Sequence, residues 1–119
     1  MKALVNNEWR NIDVTGEESY IIEGEIVPVE NIKKVWVDDF EVSETYIDGE
    51  YPEYRLNVFG YTDKFDIVAD GGADLNPADN TIVGFNLVSG EATDPFGNTF
   101  EVEFGECESA NKKIKGSAV

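Results

Sequence analysis

The amino-acid sequence predicts an all-β protein: a single domain with little helix, folded as an antiparallel β-sandwich or barrel of about eight to nine short strands. Three observations support this prediction. Apolar and polar residues alternate with a period of two along much of the chain, as they do in half-buried strands. Turn-forming residues recur between these segments, and a length of 119 residues is typical of one domain.

The predicted strands are segments in which side chains two residues apart have the same polarity. In chain order they include residues 20–27, 40–47, 51–61, 65–70 and 100–104, with a last strand expected near Lys112–Val119. These segments are rich in β-branched and aromatic residues, which strands favour. The segment Val29–Lys34 is the one place where a helical turn is a competing interpretation.

Turn chemistry separates these strands. The dipeptide Asp48-Gly49 predicts a hairpin between Phe40–Ile47 and Tyr51–Tyr61, because glycine tolerates the positive φ that tight hairpin turns require. Pro28 indicates a strand end or a sheet edge, since proline has no N–H to donate. The longest predicted break runs from Asp70 to Asn80.

The strand over residues 51–61 carries large apolar groups on both faces. Tyr54 and Val58 lie on one face, and Phe59 and Tyr61 lie on the other. Such a strand is either covered on both sides within the protein or meets a partner with its second face. Tyr51, beside Pro52, is the aromatic residue most expected to be exposed.

The charge limits the classes of function. Twenty-five acidic residues face nine basic ones, and the net charge is −16 with no histidine. Such a charge repels nucleic-acid backbones and anionic membranes, so neither is expected as a direct partner. A basic protein partner, a cation or simple solubility are the remaining explanations. A cytoplasmic location is expected, because no apolar run is long enough to span a membrane.

No constellation in the sequence supports catalysis. A nucleophile–histidine pair is impossible without histidine, and the one cysteine, Cys107, lies between Glu106 and Glu108. Neighbouring negative charge opposes thiolate formation, so Cys107 is expected to be a small apolar side chain rather than a nucleophile. We therefore expect a protein that is not an enzyme.

Pairs of acids two residues apart suggest a binding face. Such pairs would place carboxylates about 6.8 Å apart on one strand face, and neighbouring strands would extend them into a lattice of negative charge comparable to a nucleic-acid backbone. The leading hypothesis is a non-enzymatic interaction protein that binds a basic protein surface, and its more specific form is a nucleic-acid-mimicking inhibitor of a nucleic-acid-binding protein. The predicted partner-binding residues are Glu23, Glu25, Asp39, Glu41, Glu101, Glu103 and Tyr51.

The break at residues 70–80 supplies the alternative hypothesis. Carboxylate and amide oxygens are the ligands that calcium prefers, and this segment combines them with two glycines. A ligand-binding or virion-type structural module could hold calcium there, through Asp70, Asp74, Asn76 and Asp79. The competing interpretation is a plain connection in which Asp and Asn stabilise turns. No cofactor other than calcium is expected.

Overall fold

A computed structural model describes residues 1–115 and confirms the all-β prediction. The strands are β1 (Lys2–Val5), β2 (Glu8–Val14), β3 (Ser19–Ile22), β4 (Glu25–Pro28), β5 (Ile32–Val37), β6 (Glu41–Glu50), β7 (Glu53–Tyr61), β8 (Asp66–Leu75), β9 (Ile82–Thr93) and β10 (Thr99–Phe104). A 3-10 turn at Val29–Asn31 precedes β5, and one helix, α1 (Glu108–Ile114), follows β10.

All ten strands belong to one open, mixed sheet in the order β4-β3-β2-β1-β5-β10-β9-β8-β7-β6. Neither the sandwich or barrel architecture nor the count of eight or nine strands is confirmed. Nor is the sheet wholly antiparallel, because β5 and β10 run parallel. Strands β4 and β6 are the two edges, so the prediction that Pro28 marks a strand end at an edge is confirmed.

Strands β6 to β9 form an antiparallel meander with two distinct faces. Leu56 and Val58 of β7 are fully buried. Phe59 and Tyr61, on the opposite face of the same strand, are 38% and 50% exposed, as the period-two pattern predicts. We call the face that carries Leu56 and Val58 the inner face. The opposite side of β5–β10, which carries Phe59, is the outer face.

The inner face is covered from both ends of the sheet. On the N-terminal side, the Tyr20 ring of β3 packs on Phe65 and Phe100, with ring centroids 6.3 and 5.7 Å away. On the C-terminal side, Ala110 and Ile114 of α1 are completely buried. Burying one large aliphatic or aromatic side chain contributes about 1.5–3 kcal/mol, so these contacts fix both ends of the chain onto the sheet.

The C-terminal strand predicted near Lys112–Val119 is wrong over the described residues. Residues 108–114 form α1 instead, and residues 116–119 lie outside the described part of the chain. The alternation that suggested a strand is weak there. Ala110 and Ile114 are four residues apart, which places both on one helix face, and Lys112 and Lys113 lie in the last turn, where cations are favourable.

Two further boundaries differ from the prediction. The β6–β7 hairpin turns at Tyr51-Pro52, whose peptide bond is cis, and Gly49 pairs with Tyr54 inside the ladder.

The predicted break at 70–80 is shorter, because β8 continues to Leu75. Glycines in that part of β8 still allow close approach to β9: a β-carbon at Gly71 would lie 1.8 Å from the Asn86 carbonyl oxygen. Strand β5 begins at Ile32, so only Val29–Asn31 of the Val29–Lys34 segment forms a helical turn.

A buried hydrogen-bond network ties β3 to the β9–β10 turn. The Tyr20 hydroxyl donates to Oδ2 of Asp94 over 2.6 Å, and Asp94 is only 4% exposed. The backbone N–H groups of Phe96 and Asn98 donate to its Oδ1, each over 2.9 Å. Burial opposes ionisation of Asp94, but the hydrogen bonds outweigh it, so the pKa of Asp94 lies below its usual value.

The change Tyr20→Phe should lower the free energy of unfolding by about 1.5–3 kcal/mol, because it removes a hydrogen bond to a buried charge. The loss should be present above pH ~4 and should shrink as the pH falls through the pKa of Asp94, since a depressed carboxyl pKa stabilises only the ionised state. Urea unfolding at pH 7 and pH 3 measures both effects.

The matched control is Tyr46→Phe. The Tyr46 hydroxyl also donates to a carboxylate, that of Glu44, but this pair is exposed to solvent. Its loss should leave the urea midpoint unchanged, since exposed polar contacts contribute little. Equal midpoints for the two variants would show that the Asp94 network does not stabilise the fold.

Candidate partner-binding surface

Strand register places a continuous row of side chains across the outer face. Consecutive residues of this row are paired on adjacent strands from β6 to β5: Glu44, Phe59, Val68, Glu91, Glu101 and Lys34. The row is apolar on β7 and β8 and acidic on β9 and β10. Directly opposed side chains have β-carbons about 4.5–5.5 Å apart, so the side chains of this row lie next to one another.

Two carboxylates of this row oppose each other directly. Glu91 of β9 pairs with Glu101 of β10, and both side chains are exposed. Within residues 1–115, neither carboxylate has an ion pair or a side-chain hydrogen bond. Like charges directly opposite on a sheet destabilise it. Lys34 lies on the other side of Glu101 in the row but forms its ion pair with Glu103, so Glu91 faces a like charge without a direct counter-charge.

The opposed pair lines a groove of about 570 Å³ that crosses β5, β10, β9, β8 and β7. We define the acidic groove by its four carboxylates, Asp70, Glu91, Glu101 and Glu103. Lys34 is the cation at its wall and forms an ion pair with Glu103. Asp70 pairs with Arg55, so two of the four carboxylates, Glu91 and Glu101, form no ion pair within the described residues.

A β-bulge shapes one wall of this groove. Asp70 pairs with Ser89 and Gly71 with Leu87, which leaves Val88 as the extra residue on β9. Val88 is 74% exposed and lines the groove beside Asp70. The bulge therefore adds an exposed apolar side chain to a surface that is otherwise acidic.

Asp70 is only partly satisfied within the described chain. Its Oδ2 lies 3.7 Å from the exposed Arg55 guanidinium, whereas its Oδ1 is buried and accepts no hydrogen bond from residues 1–115. A buried acceptor without a donor costs about 1–3 kcal/mol.

Exposed apolar side chains adjoin the groove on β6–β8. Tyr46 and Phe59 form an edge-to-face pair with ring centroids 5.7 Å apart. Tyr61 and Val68 are 50% and 43% exposed on the same face. We call Tyr46, Phe59, Tyr61 and Val68 the apolar strip. Together the strip and the groove resemble the mixture of aromatic anchors and polar rim found in protein interfaces.

Of the predicted carboxylate pairs, Glu101 and Glu103 lie as expected. Both are on β10 and line the acidic groove. Glu101 is exposed, and Glu103 is partly covered by its ion pair with Lys34.

Glu23 and Glu25 do not form a row on one strand. Glu23 lies in the β3–β4 turn with a φ of 48°, and Glu25 begins β4. The Arg10 guanidinium lies 3.1 Å from Glu23 and 2.9 Å from Glu25. The hydrogen bond from Arg10 lowers the pKa of Glu23. The turn at Glu23-Gly24 brings both carboxylates to one arginine, which offsets one of their two charges.

Asp39 and Glu41 contact α1 and do not form a row on an open strand face. Asp39 precedes β6, and its carboxylate accepts the N–H groups of Ser109 and Ala110 at the start of α1, over 2.9 and 3.2 Å. Glu41 lies 3.2 Å from Lys113 of the same helix. Burial opposes ionisation of Asp39, but its hydrogen bonds outweigh burial, so the pKa of Asp39 lies below its usual value.

The exposure predicted for Tyr51 is confirmed. Tyr51 lies at the β6–β7 turn and is 75% exposed, more than any other tyrosine. It belongs to the end of the hairpin and not to the wall of the acidic groove.

Three of the four predicted calcium ligands have separate partners within the protein. Asp70 and Asp74 lie within β8, and Asp70 faces Arg55. Asn76 accepts the Ala78 N–H, and Asp79 accepts the N–H and the hydroxyl of Thr81. Across the described residues, no three Asp, Glu, Cys or His side chains form a group that could hold a metal ion.

Cys107 is buried, and its thiol lies 3.8 Å from the Val37 carbonyl oxygen. Burial, reinforced by the nearby charges of Asp39 and Asp38, raises the pKa of Cys107 to about 11. A thiol with this pKa is protonated at neutral pH, as the sequence analysis expected of a packing residue.

Sequence reasoning missed Glu91, Val88 and the position of Asp70 in the groove. Glu91 is a single acid in a segment without carboxylate alternation, and its importance comes from its register with Glu101. Val88 is exposed because of a bulge that no local pattern indicates. Pairing across strands is a nonlocal property, so alternation within one strand could not have found this groove.

Comparisons with known proteins add no residue correspondence for this surface. The chain matches no protein-family model, no curated protein and no solved structure. In the part of the chain that the structure describes, no helix has both the length and the apolar character needed to cross a membrane. The acidic groove and the apolar strip are therefore interpreted from their own side chains.

The change Asp39→Ala should destabilise the protein by about 0.5–2 kcal/mol, as expected when a carboxylate that caps a helix is removed. Amide exchange measured by NMR should accelerate at Ser109 and Ala110. The effect should be present at pH 7 and lost as the pH falls below ~4, because a depressed carboxyl pKa stabilises only the ionised form.

Asp66→Ala is the control, since Asp66 is exposed on β8 and forms no ion pair within the described residues. It should leave the exchange rates of α1 unchanged. Unaltered exchange at Ser109 in the Asp39 variant would contradict the capping role.

Proposed function

We propose that this protein is a non-enzymatic interaction module that binds a basic protein surface through the outer face of its sheet. The observation that carries the proposal is the direct opposition of Glu91 and Glu101, two exposed carboxylates that form no ion pair within the described residues, where the neighbouring Lys34 pairs with Glu103. This repulsion does not stabilise the folded sheet, so fold stability does not explain why the two acids are paired. A lysine or arginine of a partner would convert the repulsion into attraction.

The charge of the whole chain supports the same partner. A net charge of −16 creates a field that accelerates the approach of cationic proteins and repels anionic ones. Carboxylates spaced by strand rise and strand separation match the charge density of a nucleic-acid backbone without any exact register. A nucleic-acid-binding protein, whose groove is already basic, is therefore the class of partner that fits best.

Electrostatic attraction alone gives fast encounter and little specificity, so an anchor that excludes water is also needed. The apolar strip supplies it. Phe59 pairs with Val68, and Val68 lines the acidic groove. A partner residue with an aliphatic stem and a cationic end would lie with its stem on the strip and its charge at Glu91 and Glu101.

The double change Glu91→Gln and Glu101→Gln should weaken binding while slightly stabilising the free protein. Fluorescence anisotropy with labelled octalysine at low salt should show roughly a three- to tenfold loss of affinity, since each exposed ion pair contributes modestly. The urea midpoint should rise, because the cross-strand repulsion is relieved.

The matched control is Glu17→Gln with Glu18→Gln, which removes the same charge from two exposed acids outside the groove. It should cost less affinity and should not raise the midpoint. At 0.5 M salt, where the Debye length is about 4 Å, both proteins should bind octalysine weakly. Equal losses in the two double variants would mean that the acids act only through net charge, and the proposal would fail.

A further inference from the structure

One edge of the sheet is long and open. Strand β6 pairs only with β7, and no other strand of residues 1–115 lies along its outer side. After a bulge at Ser43, residues Glu44–Glu50 pair with β7 in regular register. Alternate backbone N–H and C=O groups of this stretch therefore point away from the sheet, which is the geometry that accepts an added strand.

The opposite edge strand, β4, is poorly suited to accept an added strand. Strand β4 has four residues and ends at Pro28, which offers no N–H. Short strands and prolines are the usual means of preventing edge pairing, and β6 has neither: it is ten residues long and contains no proline. Beyond the bulge at Ser43 and the contact of α1 with its first residues, the protection of β6 is its charge.

The charges of β6 all have one sign and lie on one face. Glu44, Tyr46, Asp48 and Glu50 pair with outer-face positions of β7, whereas Thr45, Ile47 and Gly49 lie on the inner face. Strand β6 contains no lysine or arginine. The open edge thus alternates between an acidic outer face and an uncharged inner face.

A second copy of the chain is a poor occupant of this edge. A two-fold symmetric antiparallel pair centred on Tyr46 places Glu44 opposite Asp48, and one centred on Ile47 places Glu44 opposite Glu50. Like charges directly opposite destabilise a sheet, and both registers repeat the contact by symmetry. Charge complementarity instead selects a basic strand.

We propose that β6 accepts an extended segment of the basic partner as an eleventh strand. The segment alternates lysine or arginine, which face Glu44, Asp48 and Glu50, with small or β-branched residues beside Thr45 and Ile47. Main-chain hydrogen bonds supply affinity, and the alternation supplies specificity. This inference rests on the proposed function for the sign of the partner's charge, but it uses the edge and not the groove.

Two synthetic octapeptides of identical composition test the proposal. One alternates, with the sequence Lys-Val-Lys-Thr-Lys-Val-Lys-Thr, and the other is the block isomer Lys-Lys-Lys-Lys-Val-Thr-Val-Thr. The alternating peptide should bind at least fivefold more tightly and should protect alternate β6 amides from hydrogen exchange, as followed by NMR. An alternating peptide N-methylated on every second backbone nitrogen, on the side that faces β6, should lose this advantage.

Protein variants separate the edge from the groove. Glu44→Gln with Asp48→Asn should abolish the preference for the alternating peptide, whereas Glu91→Gln with Glu101→Gln should preserve the preference and the β6 protection. Equal affinities for the two peptides, or tight binding without β6 protection, would overturn the edge proposal and leave groove binding of octalysine intact. Failure of octalysine and both peptides to bind at low salt would overturn the proposed function as well.

Discussion

Strands β5 and β10 hold the sheet together as one unit. Four paired positions, from Lys34 opposite Glu101 to Val37 opposite Phe104, join the N-terminal strands to the C-terminal meander. Parallel neighbours cannot be joined by a tight turn and need a long connection. Here the connection is the whole β6–β9 meander, so four of the ten strands lie in sequence between β5 and β10. The acidic groove depends on β10, which pairs with β5 on one side and with β9 on the other. It thereby places Lys34 and Glu103 beside Glu91 and Asp70.

The elements before and after this meander determine which face of the sheet is exposed. Tyr20 folds back onto Phe65 and Phe100, and α1 covers the inner face next to β6 under the control of Asp39. Within residues 1–115, these elements pack on the inner face and leave the outer face of β6–β10 bare. An antiparallel sheet with one bare face normally carries polar residues there. The apolar strip departs from that rule, and solubility does not explain it, since aromatic groups in water oppose solubility.

Local pattern predicted what depends on a single strand. The alternation of Leu56, Val58 and Phe59 gave the two faces of β7 correctly, and Glu101 and Glu103 share the groove as expected. It failed where a nearby turn or a distant element decides the geometry. Glu23 has the period of a strand but occupies a turn, and Asp39 has the period of a strand but binds the first N–H groups of a helix far along the chain. The groove required the register of β9 against β10, which depends on contacts that no segment contains by itself.

The position of the acids separates two physical explanations of the charge. A charge that serves solubility can lie anywhere on the surface and gains nothing from crowding, as with the exposed Glu17, Glu18 and Glu30 away from the groove. Glu91 and Glu101 are instead crowded onto adjacent strands, at a cost to the sheet, beside an aspartate with an unsatisfied oxygen. The arrival of a positively charged side chain would relieve the repulsion between Glu91 and Glu101. Under the proposed function, the free protein therefore carries on its outer face an electrostatic cost that the binding of a basic partner offsets.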